Sequence, residues 1–230
     1  MMLVTVLIPC FNEKKTIAKV VDRINDLKDL NLEIIIIDDN SNDGTRDLLN
    51  DKIKENVSRI IFNNKNYGKG YCIRKGIEAS NGDAILIQDA DLEYDPSDYP
   101  KLIKPLESGV ADVVYGSRFL GGDEKRVLYF WHTLGNKLLT IFSNMFTNLN
   151  LTDMEVGYKL FRSDILKDIN LVENRFGIEP EVTAKISKKK IRIFEVGISY
   201  YGRKYEDGKK ITWKDGISAL RCIIKYNLFN

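Results

Sequence analysis

Four isoleucines in succession, Ile34 to Ile37, followed at once by Asp38 and Asp39, constrain this chain more than any other feature. Successive side chains of a strand point to opposite faces. A run with no polar alternation is therefore a strand buried on both faces, as in a parallel sheet covered by helices. Four further β-branched runs accompany it, at residues 4–8, 58–62, 84–87 and 112–115. Helical periods separate them: Ile17, Val20, Val21, Ile24 and Leu27 fall on one stripe, and Cys72, Ile73 and Ile77 on another. Such alternation predicts right-handed βαβ units and an α/β fold with a doubly wound, Rossmann-like, mostly parallel sheet flanked by helices. Sheets of this type bind ligands outside the carboxyl ends of their strands. The polar clusters of the first half sit at those ends, at residues 9–13, 38–45, 63–70, 89–96 and 116–118.

From about Val127 the pattern changes. Residues 127–151, rich in aromatic and aliphatic side chains, predict an amphipathic helix or a pair of helices broken at Gly135. Residues 158–161 and 191–200 predict strands, and 179–187 a helix. A last helix over 213–228 is apolar at Ile217, Leu220, Ile223, Ile224 and Leu228. Between the last strand and that helix lies a charged loop, 203–210. The whole, residues 1–230, is expected to be one domain, with 1–120 serving one ligand and 121–230 a second.

Composition removes several chemistries. The single histidine, His132, excludes sites that need two, such as HExxH zinc. Three cysteines without a CxxC pair exclude a disulfide framework or zinc cluster and suit a reducing, cytoplasmic compartment. The apolar run at the start precedes its lysines and is expected to be a first strand, not a signal peptide. No stretch of 18 apolar residues exists, so no membrane span is predicted. The net charge of +2 hides an asymmetry: residues 185–230 carry 12 basic and 4 acidic side chains, while the rest is net acidic. A basic end suggests an anionic partner, whether phosphate, nucleic acid or a lipid surface.

Three clusters carry candidate chemistry. Asp89, Asp91 and Glu93 alternate after a strand, so an extended segment projects them to one side. Converging carboxylates call for a hard divalent ion, Mg²⁺ or Mn²⁺, which in turn attracts phosphate oxygens. The alternative is a solvated acidic turn capping the next helix at Asp95 and Pro96. Asp38 and Asp39, at a strand end, suit ribose hydroxyls or a base edge, whereas Asn42 or Asp43 suits a helix cap. Arg118, again just past a strand, suits either an anion clamp or a structural salt bridge. Residues 63–70 fail the GxGxxG pattern, and no GxxxxGK[ST] exists, so dehydrogenase and P-loop readings fall away.

In order, Ile8-Pro9-Cys10-Phe11-Asn12-Glu13, Asp38-Asp39-x-Ser41-x-Asp43-Gly44-Thr45, Asn66-x-Gly68-Lys69-Gly70 and Asp89-Ala90-Asp91-Leu92-Glu93 resemble the family 2 glycosyltransferases of GT-A fold. Gly116-Ser117-Arg118 and Asp153 with Gly157-Tyr158-Lys159 narrow the resemblance to the dolichyl-phosphate mannose synthase-like branch. It covers nearly the whole chain, and its strength is the ordered combination. The resemblance implies that Pro9, Phe11, Glu13 and Asp39 hold the nucleotide. Asp89, Asp91 and Glu93 would hold the metal, with Ala90 giving a backbone contact. Arg118 would meet the acceptor phosphate or diphosphate, and Arg203, Lys209 and Lys210 would close over the donor diphosphate as a lid. Where that branch carries an arginine contacting the lipid phosphate, this chain has Trp131-His132.

The expected activity is inverting, metal-dependent transfer of a sugar from GDP-mannose or a UDP-hexose to a polyprenyl (dolichyl or undecaprenyl) phosphate. A phosphate acceptor is ionised at neutral pH and needs no strong base. A hydroxyl acceptor, on a soluble glycan or protein, would need one, and Asp153 is the candidate. Two other readings are a nucleotide-sugar-binding module without turnover and a nucleotidyltransferase; the latter would want a glycine-rich loop where Pro9 to Glu13 stand. No nucleic-acid partner is expected. The apolar faces of residues 127–151 and 213–230 predict peripheral attachment to the cytoplasmic face of a membrane, the alternative being core packing or a homodimer.

Overall fold

The computed structural model describes residues 1–121, 126–127, 129–203 and 213–229. The isoleucine run lies in β2 (Asn31–Asp38), and Ile34 to Ile37 are all buried. β1 (Leu3–Cys10) pairs with β2 in parallel, setting Pro9 opposite Ile37 and Cys10 opposite Asp38. β3 (Arg59–Phe62) lies beyond β2, and β4 (Ala84–Ile87) on the other side of β1, both parallel. β6 (Lys159–Arg162) runs antiparallel between β4 and β5 (Val113–Ser117), and β7 (Ile193–Gly197) closes the sheet parallel to β5. The order β3-β2-β1-β4-β6-β5-β7 is the mostly parallel α/β sheet expected, and strands from both sides of residue 120 share it.

The reversal of β6 positions the site. The parallel strands all end at one edge, and β6, running the other way, begins there. Residues 153–158 therefore lie beside the segments that follow β1, β2, β4 and β5.

Helices cover the sheet through the stripes the sequence shows. α1 (Ile17–Asn25) buries Ile17, Val20, Val21 and Ile24; such a buried aliphatic side chain contributes about 1.5–3 kcal/mol relative to exposure. α2 (Thr45–Leu48) continues as a wider turn to Ile53. α3 (Lys69–Ala79) buries Cys72, Ile73 and Ile77, and glycine at 76 lets it seat closely: a Cβ there would lie 2.8 Å from a Leu7 methyl. α4 (Tyr99–Glu107) is the helix expected after Asp95 and Pro96: Asp95 caps the short turn Pro96–Asp98 that leads into it, accepting from the Ser97 N–H, and Pro100 occupies its first turn, where no N–H partner is lost. α6 (Ser163–Lys167) follows β6 directly.

α5 (Phe130–Thr147) is one continuous helix. Gly135 does not break it, and it ends where Asn148 turns left-handed at φ 53°. α7 (Ile178–Ser187) and α8 (Trp213–Leu228) complete the fold, with α8 against both α7 and α5. Leu139, Phe142, Phe146 and Ile223, expected on outward apolar faces, instead pack on the core. Phe130, Trp131, Leu138, Ile141 and Met145 of α5 and Ile217, Leu220, Ile224 and Leu228 of α8 remain exposed, Trp131 by 78%. Among the described residues no helix is long and apolar enough to cross a membrane.

Candidate active site

A cavity of about 470 Å³ opens at the edge where the parallel strands end. Pro9, Phe11 and Glu13 after β1 line it, with Asp39 after β2, residues 89–91 and Glu93 after β4, Arg118 after β5 and Arg203 after β7. Asp39 is buried and works as a clamp. Its Oδ1 accepts from Asn63 Nδ2 at 2.8 Å, and the backbone N–H groups of Tyr67 and Gly68 donate to the same carboxylate at 3.0 and 2.7 Å. The loop it holds needs its glycines. Gly68 has φ 100°, and a Cβ on Gly68 or Gly70 would overlap the backbone carbonyl of Asn174 or Glu173. This close approach buries Lys69 between two carboxylates, with Nζ 2.7 Å from Asp89 Oδ1 and 3.0 Å from Glu179 Oε1. Burial works against the Lys69 ammonium, but the charges of Asp89 and Glu179 outweigh it and hold its pKa above the ordinary range.

The three acids after β4 do not share one direction. Residues 89–93 run through bends, not an extended strand. Asp89 turns to Lys69, with Gly157 making room: a Cβ there would lie 2.5 Å from Asp89 Oδ2. Asp91 and Glu93 turn to Arg203. Arg203 Nη2 lies 2.5 Å from Asp91 Oδ2 and 3.1 Å from Glu13 Oε1. Glu93 is committed elsewhere, since Oε1 accepts the Arg203 backbone N–H at 2.6 Å and Oε2 the Tyr200 hydroxyl at 2.9 Å. Burial, then the charges of Asp89 and Glu93, push the Asp91 carboxyl up to about 7. Among the described residues no three acidic, histidine or cysteine side chains converge as a metal cage.

Arg118 and Asp153 form a buried two-pronged pair, with Nε to Oδ2 at 2.6 Å and Nη2 to Oδ1 at 2.7 Å. The Arg118 backbone N–H adds a third bond to Oδ2 at 3.1 Å. Arg118 still lines the cavity, its guanidinium 5.3 Å from the centre of the Tyr200 ring. Asp153 is fully buried with both oxygens engaged. Both oxygens face Arg118, and Asp153 is not among the residues that line the cavity.

The family model for glycosyl transferase family 2 matches residues 5–169. The chain belongs to glycosyl transferase family 2. It is 30% identical over 96% of its length to an uncharacterized protein of Methanocaldococcus jannaschii, covering 97% of that protein. It is 28% identical over 91% of its length to the dolichol-phosphate mannosyltransferase of Pyrococcus furiosus, and spans 61% of that longer chain. Against the undecaprenyl-phosphate mannosyltransferase of Micrococcus luteus it is 27% identical, with 90% of this chain and 87% of that one aligned. Among solved structures, glucosyl-3-phosphoglycerate synthase of Mycobacterium tuberculosis, in complex with Mn²⁺, uridine diphosphate and glucosyl-3-phosphoglycerate, superposes with a TM-score of 0.77. That match covers 98% of this chain and 80% of that one at 18% identity, which shows the shared GT-A fold.

In this glycosyltransferase the expected residues Pro9, Phe11, Glu13, Asp39, Asp89, Ala90, Asp91, Glu93, Arg118 and Arg203 meet at one cavity. Lys209, Lys210 and the rest of the expected lid lie outside the described residues. Sequence reasoning missed Lys69, Glu155, Glu179 and Tyr200, which line the same space. His132, which stands where the resembled branch has an arginine, lines it too, alongside Asn136 and Leu139 of α5 and Ala219 of α8. For Lys69 a signal existed: a lysine between two glycines at a helix start is a cation held where backbones approach closely.

Proposed function

We propose that this glycosyltransferase moves a sugar, with inversion, from GDP-mannose or a UDP-hexose to the phosphate of a polyprenyl phosphate at a membrane surface on the cytoplasmic side. One observation carries the reading. A cavity with charged residues at the sheet edge is walled by α5 and α8, whose outward sides expose aromatic and aliphatic residues, so a lipid phosphate can enter while its chain stays in an apolar layer. The polyprenyl-phosphate mannosyltransferases among its relatives support the acceptor class. Residues before 120 would hold the nucleotide, and the helices after 120 would face the acceptor.

The residues present fit a divalent cation. Arg203 already stands as a cation on Glu13 and Asp91, between carboxylates that gather at the same place. Mg²⁺ needs only one or two protein carboxylates when substrate phosphates and water complete its shell, so the absence of a three-acid cage among the described residues is no obstacle. Asp89 and Asp91 would hold Mg²⁺ or Mn²⁺, with Glu93 orienting Arg203. A bound ion supplies charge stabilisation to the departing diphosphate. Arg203 and Lys69 add fixed positive charge, Phe11 and Asp39 shape the nucleotide end, and Arg118 meets the acceptor phosphate. That phosphate is its own nucleophile, consistent with an Asp153 committed to Arg118. Lys209 and Lys210 are proposed to join Arg203 on the diphosphate.

The test is transfer from labelled GDP-mannose, UDP-glucose and other sugar nucleotides to polyprenyl phosphate in detergent, with a soluble hydroxyl acceptor in parallel. Flotation with liposomes accompanies it. Lipid-linked product, and flotation that rises with anionic lipid and falls with salt, are expected. Product on the hydroxyl acceptor alone, with no flotation at low salt, would overturn the lipid reading.

A further inference from the structure

Two buried oxygens at the cavity floor have no partner. Glu155 Oε1 and Glu179 Oε2 are both shielded and unpaired by hydrogen bonds, and both residues line the cavity. A buried acceptor left unmade is unfavourable, and each such group in a native structure needs an explanation. The fold places these two deliberately. Glu155 stands in the loop that the reversed β6 delivers to the site edge, two residues before the Gly157 that accommodates Asp89. Glu179, 6% exposed, sits in the first turn of α7 and is held by its other oxygen on Lys69, which also holds Asp89. Glu179 thus lies one lysine away from the carboxylate assigned to the metal and diphosphate, and Glu155 lines the same cavity.

We propose that Glu155 and Glu179 form the subsite that reads the hydroxyl groups of the transferred sugar, and so select a neutral, polyhydroxylated hexose; this rests on the nucleotide-sugar reading above. The chemistry matches. Burial, then the charge of Glu179, push the Glu155 carboxyl up to about 8, so at neutral pH Glu155 offers an O–H donor to the cavity that the free oxygen of Glu179 also lines. A donor and an acceptor in one cavity complement a sugar hydroxyl, which is both. With Glu155 protonated, the negative charges of Asp89 and Glu179 are balanced by Lys69 and the buried Lys159, leaving no surplus to favour an ammonium-bearing sugar.

The experiment is calorimetric binding with Mn²⁺ of UDP against UDP-glucose, and of GDP against GDP-mannose, to the wild-type chain, Glu155→Met and Glu155→Gln. The wild type is expected to bind one sugar nucleotide more tightly than its bare nucleoside diphosphate. Glu155→Met should lower that ratio roughly tenfold, the loss of about one hydrogen bond, while affinity for the nucleoside diphosphate stays unchanged. Glu155→Gln, which keeps a donor and an acceptor, should retain most of the ratio. Melting of the ligand-free proteins checks folding, and Glu155→Met should melt no lower than wild type because it removes an unpaired buried group. An unchanged ratio, an equal loss for sugar nucleotide and nucleoside diphosphate, or a wild type with no preference for the sugar would each overturn the subsite. Binding of none of the four compounds to the wild type would overturn the nucleotide-sugar reading itself, and the subsite with it.

Discussion

Replacing Asp153 by asparagine separates aiming a cation from accepting a proton. The substitution keeps volume and removes the charge that faces Arg118, which is 6% exposed and bonded to Asp153 through Nε, Nη2 and its backbone N–H. Removing one partner of a buried ion pair typically costs about 3–5 kcal/mol, because the other charge is left uncompensated. Here the Tyr200 ring, 5.3 Å from the guanidinium, remains to receive it. A cation over an aromatic face contributes about 0.5–2 kcal/mol, which puts the loss at the lower end, about 3 kcal/mol. For a chain of this size each kcal/mol moves Tm by about 2–4 °C, so Asp153→Asn should melt roughly 6–12 °C below wild type. The assay is thermal and urea unfolding followed by circular dichroism, repeated on Arg118→Met and on the pair Asp153→Leu/Arg118→Met. Apolar replacement of a whole buried pair is often neutral, so the double variant should return to within about 1 kcal/mol of wild type yet transfer no sugar. The reasoning fails if Asp153→Asn unfolds like wild type while transfer falls to background. That outcome would make Asp153 a proton acceptor in the reaction and favour a hydroxyl substrate.

Asp91→Ala should keep the fold, abolish transfer and weaken Mn²⁺-dependent nucleotide binding at least tenfold, as measured by titration of the Mn²⁺ EPR signal; full activity in excess chelator would contradict it. Gly68→Ala forces a side chain onto the Asn174 carbonyl at φ 100° and should lose about 1–3 kcal/mol of stability, read by urea unfolding, while releasing Lys69 from Asp89. Glu155 keeps its proton in the folded state up to about pH 8, whereas an unfolded glutamate loses it near ~4.3. The folded chain therefore binds more protons in between, and stability falls as pH rises through that window. The melting advantage of Glu155→Gln should widen from pH 5 to pH 8, and a constant gap would refute the assignment. Transfer from an α-linked donor should give a β-linked product by the NMR coupling constant, since a single displacement inverts the anomeric carbon.

The sheet was legible in the sequence because burial on both faces leaves an unbroken apolar signal, as at Ile34 to Ile37, and because α1 and α3 carry clean stripes. So were the residues just past each strand, since the carboxyl ends of parallel strands share an edge whatever the loops do. What failed did so for identifiable reasons. Alternation along Asp89, Asp91 and Glu93 implied one direction only if the segment stayed extended, and the bends that follow β4 send Asp89 to Lys69 and the other two to Arg203. The outward face of α5 was misjudged because its aromatics are not on one side: Phe142 and Phe146 pack inward, while Trp131 and Met145 point away.

Glu155 and Glu179 were illegible for a deeper reason. Each is a single acid between apolar residues, Met154 and Val156 for Glu155 and Ile178 and Pro180 for Glu179, and nothing local says that one of its oxygens is shielded. Their burial comes from two long-range events, the reversal of β6 and the seating of Gly68 and Gly70 against residues 173–174, and neither event leaves a periodic trace near the glutamates. A buried carboxylate with a free oxygen is unfavourable for folding alone, and a core without a ligand to serve gains nothing from retaining two of them. Glu179 also holds Lys69, so Glu155 alone makes the test: if Glu155 serves folding, replacing it with methionine should lower stability. If it serves the sugar, the same replacement should leave the ligand-free protein as stable or more so, and the penalty should appear only when a sugar nucleotide binds.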